Sequence, residues 1–254
     1  MEILPLGTGE AFARTLRQTN FLISPAEGEP FLIDFGHTAV AALREVGVPL
    51  RSAARVVVSH LHADHIGGLE ELGFTAYFAW RERPTLYVPE VLLPFLWSNA
   101  LAAGLGQCLP DEHGALFEPD LHTYFRVEPL VSRAPTPLGS VELTAFPTPH
   151  APGRPSFGFL LRDAVTRQSA MLTCDSRLDR DNLEQWGADA ACVFHDCQLS
   201  GGPAGVHATL DELLLLPSHW QEKILLVHYG DDWRRHGGRI GGLRFAGQGQ
   251  RYRF

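Results

Sequence analysis

The chain has 254 residues, of which 45% are hydrophobic, and this apolar content is typical of a globular protein and excludes a disordered or fibrous one. Its 29 acidic and 21 basic side chains give a formal net charge of −8, which argues against a general nucleic-acid surface and makes tRNA a less expected partner. No apolar run approaches the ~20 residues of a membrane helix, and no secretory signal opens the chain. We expect one domain over residues 1–254, in the cytoplasm and without membrane contact.

Strand-like runs and helical segments alternate along the chain. Residues 1–60 are predicted to form strands separated by Gly and Pro turns, with a helix at 38–46 that ends at Gly47. Further helices are expected at 69–79, 91–104, 181–186 and 210–216, and a strand at 85–88. The pattern of strands and turns resumes after Phe125 and continues to residue 228. Strands that alternate with helices in two similar halves predict an α/β fold, a sandwich with αββα layers.

A cluster of metal-ligating side chains follows the apolar run at residues 56–58. His60 and His62 lie two residues apart on extended backbone, so their side chains point the same way and can hold one ion. Asp64 and His65 would face a second ion. Imidazole nitrogen and carboxylate oxygen are ligands that zinc prefers. The alternative is a solvated histidine-rich loop, which the preceding valine strand and the following Gly-Gly pair disfavour.

Three more candidate ligands stand at the ends of later apolar runs. These are His150, Asp175 and His228. Each alone could be a polar residue that ends a strand with a local hydrogen bond. Active sites of layered α/β folds lie where strand ends converge, so we expect the three to complete the metal shells. Asp34 and Thr173 are expected to orient ligand rings from behind, with Asp34 as the cap of its own turn as an equal alternative.

The order HxHxDH, His, Asp, His resembles that of the metallo-β-lactamase-fold hydrolase superfamily. The similarity covers almost the whole chain, from the opening Leu6-Gly7-Thr8-Gly9 to residues 242–246 and 252–254, which resemble the closing strand pair. The resemblance implies a four-layer αββα metallo-β-lactamase sandwich that holds two divalent ions per chain. Zinc is the expected metal, and manganese or iron are alternatives. The first ion would be bound by His60, His62 and His150, the second by Asp64, His65 and His228, with Asp175 bridging both.

Two further stretches narrow the resemblance to the tRNase Z-like phosphodiesterase branch. Residues 194–198 (Phe-His-Asp-Cys-Gln) and 207–209 (His-Ala-Thr) are similar to the branch's HEAT and HST motifs, with Asp196 at the glutamate position. The resemblance implies that Asp196 orients His207 and favours its imidazolium, which donates a proton to the leaving alkoxide. In the alternative interpretation Asp196 caps a strand and His207 is a surface histidine.

These features imply a metal-dependent hydrolase, a binuclear phosphodiesterase in which a metal-bridged hydroxide attacks phosphorus. Its catalytic residues would be Asp64, Asp196 and His207. Residues 80–125 contain a short acidic loop at 110–113 and lack the basic arm that grips tRNA in the resembling endonucleases. We therefore expect a small phosphodiester such as a cyclic nucleotide, as in the phage anti-Pycsar phosphodiesterases of this branch. The alternatives are a tRNA 3′-processing endoribonuclease, a lactonase, thioesterase or β-lactamase of the same fold, and an inactive or redox member.

The apolar composition of residues 89–105 bears on whether the protein is a monomer or a dimer. This segment carries more large apolar side chains than one face of a surface helix can bury. In the resembling enzymes this region packs against a second copy, so a symmetric homodimer is expected, with an internal core helix as the alternative. Aromatic residues that could stack on a base, most of them expected to belong to the core, are Phe12, Trp80, Trp97, Phe157 and Trp233.

Overall fold

The computed structural model describes residues 1–110, 113–200 and 205–254, so residues 111 and 112 of the acidic loop lie outside it. The strands, in chain order, are β1 Glu2–Gly7, β2 Asn20–Ser24, β3 Phe31–Ile33, β4 Arg55–Val57, β5 Thr85–Pro89, β6 Leu109–Pro110, β7 Leu116–Phe117, β8 Arg126–Leu130, β9 Pro135–Leu138, β10 Val141–Thr148, β11 Ser156–Asp163, β12 Ser169–Leu172, β13 Cys192–Asp196, β14 Ile224–Val227, β15 Arg239–Ile240, β16 Leu243–Phe245 and β17 Tyr252–Arg253.

Short helices connect these strands. The α-helices are α1 Ala39–Glu45, α2 Ala63–Ile66, α3 Leu69–Phe74, α4 Leu93–Leu96, α5 Ala102–Leu105, α6 Leu121–Tyr124, α7 Arg180–Asn182, α8 Leu210–Leu214 and α9 Ser218–Lys223. Wider π-helical turns follow three of them, at Thr75–Trp80, Trp97–Leu101 and Leu183–Gly187, and 3-10 turns occupy Leu50–Ala54, Glu90–Leu92 and Asp231–His236. Within the described part of the chain, every helix is too short or too polar to cross a membrane.

Two large sheets form the middle of the molecule. The first has the strand order β17-β1-β2-β3-β4-β5-β8, and the second has the order β15-β16-β14-β13-β12-β11-β10-β9. Helix α1 packs against β1, while α9 packs against β16 and the turn Leu183–Gly187 packs against β12. The strands at the centre of each sheet are buried on both faces, as strands covered by helices on one side and a second sheet on the other must be. The predicted αββα arrangement of layers is confirmed.

The predicted helices are present, but the one at 91–104 is broken into short pieces. It begins as a 3-10 turn at Glu90–Leu92 and continues as α4, with Pro94 in the first turn of α4. Proline lacks a backbone N–H and is tolerated only in the first turn, so α4 begins there. Leu92, Leu96 and other leucines of the segment are buried, whereas Val91 and Phe95 are exposed. The segment thus covers core on one side, and the homodimer stays a prediction.

The two predicted closing strands are present, but they do not pair with each other. Strand β16 lies beside β14 in the second sheet, while β17 pairs with β1 in the first. The chain crosses between the two sheets in the turn that separates these strands. The hydroxyl of Tyr252 accepts a hydrogen bond from the backbone N–H of Gly247 at 2.9 Å and holds that turn in place.

The polarity of the strands brings the candidate ligands together. Strands β3, β4, β5 and β8 run parallel in the first sheet, and β12, β13, β14 and β16 run parallel in the second. Asp34, the motif at residues 60–65, Asp175 and His228 all follow the carboxyl ends of these parallel strands. Because the carboxyl ends of parallel strands meet at one edge, these side chains share one end of the sandwich.

Phe194 holds the two sheets together, and its removal should destabilise the fold. Its buried ring, on β13, makes edge-to-face contacts with Phe21 and Tyr252 of the first sheet, with ring centroids 5.4 and 5.3 Å apart. We expect Phe194→Ala to lower the free energy of unfolding by about 3–5 kcal/mol, measured by chemical denaturation, because a buried aromatic ring leaves a cavity. Phe12→Ala, at a ring that is 84% exposed, is the control and should cost under ~0.5 kcal/mol. Equal costs for both variants would contradict this packing.

Candidate active site

The first candidate metal position is surrounded by His60, His62, His150 and Asp175. The Nε2 atom of His150 lies 3.2 Å from Nδ1 of His62 and 3.7 Å from Oδ2 of Asp175, and His60 Nε2 lies 3.7 Å from the same oxygen. The ligand atoms of the whole set lie within 4.8 Å of one another. Burial lowers the pKa of all three imidazoles, which favours the neutral form that metal coordination requires.

The second candidate position is surrounded by Asp64, His65, His228 and the other oxygen of Asp175. Oδ1 of Asp175 lies 3.1 Å from His65 Nε2 and 3.4 Å from His228 Nε2. Oδ2 of Asp64 lies 3.3 Å from each of the same two nitrogens. Burial opposes ionisation of Asp64, but His65 and His228 outweigh it and hold the pKa of that carboxyl well below its usual range. The two oxygens of Asp175 therefore face different ligand sets, which is the arrangement of a bridging carboxylate.

Unpaired polar atoms test whether metal ions fit these positions. His60 Nε2, His65 Nε2 and Asp175 Oδ1 are buried and make no hydrogen bond. A buried polar atom without a partner costs about 1–3 kcal/mol in folding free energy. His60 Nε2 faces the first candidate position, and His65 Nε2 and Asp175 Oδ1 face the second, so each position needs a partner for these atoms. Divalent cations satisfy nitrogen and carboxylate donors of this kind. The donor sets fit the two ions that the sequence predicted.

Behind the ligands, hydrogen bonds fix the orientation of the rings. His65 Nδ1 donates to Asp34 Oδ2 at 2.7 Å, which leaves Nε2 of that ring for a metal. His60 Nδ1 lies 3.0 Å from the hydroxyl of Ser59, which itself donates to Asp34 at 2.6 Å. Thr173 contacts no ligand ring. Its hydroxyl instead accepts a hydrogen bond from the backbone N–H of Asp196 at 3.0 Å and donates one to the carbonyl oxygen of Cys174 at 2.9 Å.

Left-handed backbone conformations redirect the chain at this end of the sheets. Asp34, Cys174 and His228 have φ values of 64°, 48° and 57°. A residue other than glycine in this region costs about 1–3 kcal/mol and is retained where the surrounding structure requires it. Asp34 and His228 belong to the centre and Cys174 directly precedes Asp175, so the left-handed turns lie where the chain delivers side chains to the site.

A close approach at Gly36 was not anticipated from the sequence. A Cβ atom at this position would lie 1.8 Å from the carbonyl oxygen of Asp64, so only glycine lets the turn after β3 pack against the ligand motif. The backbone N–H of Phe35 donates to the carbonyl oxygen of His65 at 2.7 Å in the same contact. The signal in the sequence was the glycine two residues after Asp34.

His207 and Asp196 form a hydrogen-bonded pair beside both ligand sets. His207 Nδ1 donates to Asp196 Oδ2 at 2.6 Å, a separation that leaves no space for an ion between them. The ring of His207 lies 5.0 Å from that of His150 and 4.9 Å from that of His228, between centroids. Burial disfavours the charged ring, but the hydrogen bond and charge of Asp196 outweigh it and raise the pKa of His207. The side chain is 19% exposed, so its Nε2 edge is accessible to a substrate.

Asp196 has a second contact that the sequence did not indicate. Its Oδ1 lies 3.5 Å from Nδ1 of His228, and its Oδ2 also accepts a bond from the backbone N–H of Ser176 at 2.9 Å. The carboxylate is fully buried. Asp196 therefore holds His207 by a hydrogen bond and places its other oxygen, which makes no hydrogen bond, beside a ring of the second candidate metal position.

Comparisons with known proteins agree with this architecture. A family model described as Anti-Pycsar protein Apyc1 matches residues 1–252. The chain is 35% identical over 254 residues to the Anti-Pycsar protein Apyc1 of Paenibacillus harenae, with 99% of each chain covered. It is 36% identical over 259 residues to the protein of that name from Bacillus phage 010DV004, with 99% of this chain and 98% of the relative covered.

Solved structures share the fold. The metallo-β-lactamase fold protein YhfI from Bacillus subtilis aligns with a TM-score of 0.74 and 16% identity, covering 99% of this chain and 98% of that one. The short form of human tRNase Z aligns with a TM-score of 0.70 and 18% identity, covering 100% and 99%. The fold is the predicted metallo-β-lactamase sandwich.

Loss of the bridging carboxylate should reduce metal content. We expect Asp175→Asn, which keeps the size of the side chain, to bind at most one ion per chain in place of two, because an amide cannot bridge two cations. His228→Ala should empty mainly the second position. Elemental analysis after dialysis measures both, and Asp189→Asn, an exposed position, is the matched control. Retention of two ions by the Asp175→Asn protein would show that Asp175 does not bridge.

Proposed function

The chain belongs to the family of the anti-Pycsar protein Apyc1, and from this membership we propose that it is a binuclear metal-dependent phosphodiesterase acting on a small cyclic nucleotide. The observation that carries the proposal is the 2.6 Å pair of His207 and Asp196 beside both metal-ligand sets. Zinc is the proposed metal, because five imidazoles and two carboxylates provide the ligand atoms.

The two ligand sets would hold the ions that promote hydrolysis of a phosphodiester. Divalent ions bound there would supply Lewis acidity, lowering the pKa of a water from 15.7 toward ~7 and neutralising charge on phosphoryl oxygens. Asp175 sets the spacing of the two positions through its two oxygens. Asp64 brings a carboxylate to the second position only, where it contacts His65 and His228. Asp34 and Ser59 keep the rings of His65 and His60 oriented.

His207 serves the leaving group. When the bond between phosphorus and a ribose oxygen breaks, the departing alkoxide needs a proton, and Nε2 of the imidazolium donates it. Asp196 favours that charged form and holds Nδ1, so the proton-bearing Nε2 edge stays directed to the accessible side. Hydrolysis of a lactone or thioester by the same metals would not need this pair, and this difference favours a phosphodiester.

The surroundings of the site support a small substrate over tRNA. Among the described residues of the region 80–125, the chain forms β5, the segment 90–105, the short hairpin β6–β7 and α6, with no extended basic arm. The net charge of −8 also opposes general attraction to RNA. A cyclic nucleotide brings one phosphate and one nucleoside, which such a site can accommodate.

Removal of the general acid should affect substrates according to their leaving group. With a cyclic nucleotide, His207→Ala should lower kcat by ~10²–10⁴-fold, because a ribose alkoxide leaves poorly without a proton. With a p-nitrophenyl phosphodiester, whose leaving group needs no proton, the loss should stay below ~10-fold. Metal content should not change. His219→Ala, an exposed histidine on α9, is the control and should behave as wild type.

Asp196→Asn should show the same dependence on leaving group together with weaker binding of the second ion, by ~10–100-fold, because Asp196 also contacts His228. The assays are therefore run at saturating metal. If His207→Ala slows hydrolysis of both substrates equally or loses metal, His207 is structural.

A parallel screen of wild type against cyclic nucleotides, lactones, thioesters and precursor tRNA tests the substrate class. Turnover of lactones or thioesters alone would reject a phosphodiesterase.

A further inference from the structure

A cleft of about 200 Å³ opens beside the first metal position. It is lined by His60 and His62 of the first metal position, by Phe95 and Asn99 of the segment 90–105, and by Arg154. Its volume is below the ~300–1,000 Å³ of sites for drug-sized ligands, so it suits one small ring system and not a polymer. Because two metal ligands line it, a molecule held by the metals would extend into it.

The wall from the segment 90–105 combines an aromatic face with an amide. Phe95 is 45% exposed, although it is a large apolar side chain, and it stacks on no other ring of the described residues. Asn99 lies one helical turn further on and accepts a hydrogen bond from the hydroxyl of Ser98 at 2.7 Å, which leaves its NH2 group to donate. A planar ring with polar edges, such as a nucleobase, matches a stacking face followed by a donor.

Arg154 supplies positive charge to the cleft. Arg154 is exposed, four residues after the ligand His150, and its guanidinium pairs with no carboxylate in the described part of the chain. Charge near the second metal position is negative, because Glu10 and Asp232 both lie close to Gly230, two residues after His228. In a chain of net charge −8, this asymmetry directs a phosphate anion toward Arg154.

We propose that this cleft is the nucleoside subsite of the enzyme. The base stacks on Phe95, the amide of Asn99 donates to the edge of the base, and the guanidinium of Arg154 contacts a non-bridging phosphate oxygen. The assignment rests on the proposed function and adds which part of the substrate each wall binds. Phe95 and Asn99 then determine preference for the base, while Arg154 acts on any phosphodiester.

Steady-state kinetics with two substrates separates these roles. Phe95→Ala should raise KM for cyclic nucleotides on the order of 10-fold to 100-fold with little change in kcat, and should leave a base-free cyclic ribose phosphate unaffected. Phe95→Trp should retain wild-type KM, because it keeps an aromatic face. Phe78→Ala, a 50% exposed ring that lies outside the cleft, is the matched control. Arg154→Ala should raise KM for both substrates, and Arg162→Ala, an exposed arginine on β11, for neither.

The outcomes are distinct. Equal effects of Phe95→Ala on both substrates, or no effect on either, would overturn the subsite. Conversion of a dimer to a monomer by Phe95→Ala, seen by light scattering together with equal losses on both substrates, would make Phe95 a contact between copies of this chain and also overturn it.

Calorimetric binding of a nucleoside monophosphate to the metal-loaded protein gives a readout that needs no turnover. Weaker binding by Phe95→Ala, with normal binding by Phe78→Ala, supports the subsite even if wild type hydrolyses no cyclic nucleotide, in which case only the proposed function fails. Equal binding by both variants and wild type contradicts the subsite whatever the activity.

Discussion

The division of one carboxylate between two sets of histidines is the constraint on which the rest of this centre depends. Asp175 is buried, yet its pKa is held well below its usual range, because His228 and His65 outweigh the cost of burial. Neither ligand set is complete without one of its oxygens. The turn after β12 includes Cys174 in the left-handed conformation. This turn places Asp175 where its two oxygens can face the two ligand sets. Removal of this carboxylate leaves four buried imidazoles and the half-buried ring of His62 with too little negative charge beside them.

The proposed proton donor, His207, depends on a second shared carboxylate, that of Asp196. This buried carboxylate reaches His207 at 2.6 Å with one oxygen and His228 at 3.5 Å with the other. Asp196, on β13, therefore contacts both His207, the ring that would protonate the leaving group, and His228, a ring that would hold metal. In phosphodiester hydrolysis the nucleophile attacks and the leaving group departs on opposite sides of phosphorus. A carboxylate next to both His207 and His228 would keep the proton donor and the metal position at a constant separation. An aspartate at this position reaches its histidine directly, without the extra methylene of a glutamate.

The sequence predicted those parts of the site that arise from local chain geometry. Ligands at strand ends are visible because apolar runs identify the strands and parallel strands bring their carboxyl ends together, as for His60, Asp175 and His228. Contacts that depend on tertiary packing were not visible. The support of His228 by Asp196, the approach of Gly36 to the backbone of Asp64, and the separation of β16 from β17 into different sheets follow from how the two sheets pack. Phe95, which we propose to stack on a base, could not be selected for the same reason, since its segment predicts only an apolar helix.

We propose that Asp175 joins two metal ions into one coupled centre. The most direct measurement is titration of the metal-free protein with Mn²⁺, one of the ions that the donor atoms accept, followed by electron paramagnetic resonance. We expect two ions per chain whose spins couple, so that the six-line spectrum of isolated Mn²⁺ is lost as the second ion binds. Saturation at one ion, or two ions that each keep the spectrum of isolated Mn²⁺, would contradict it.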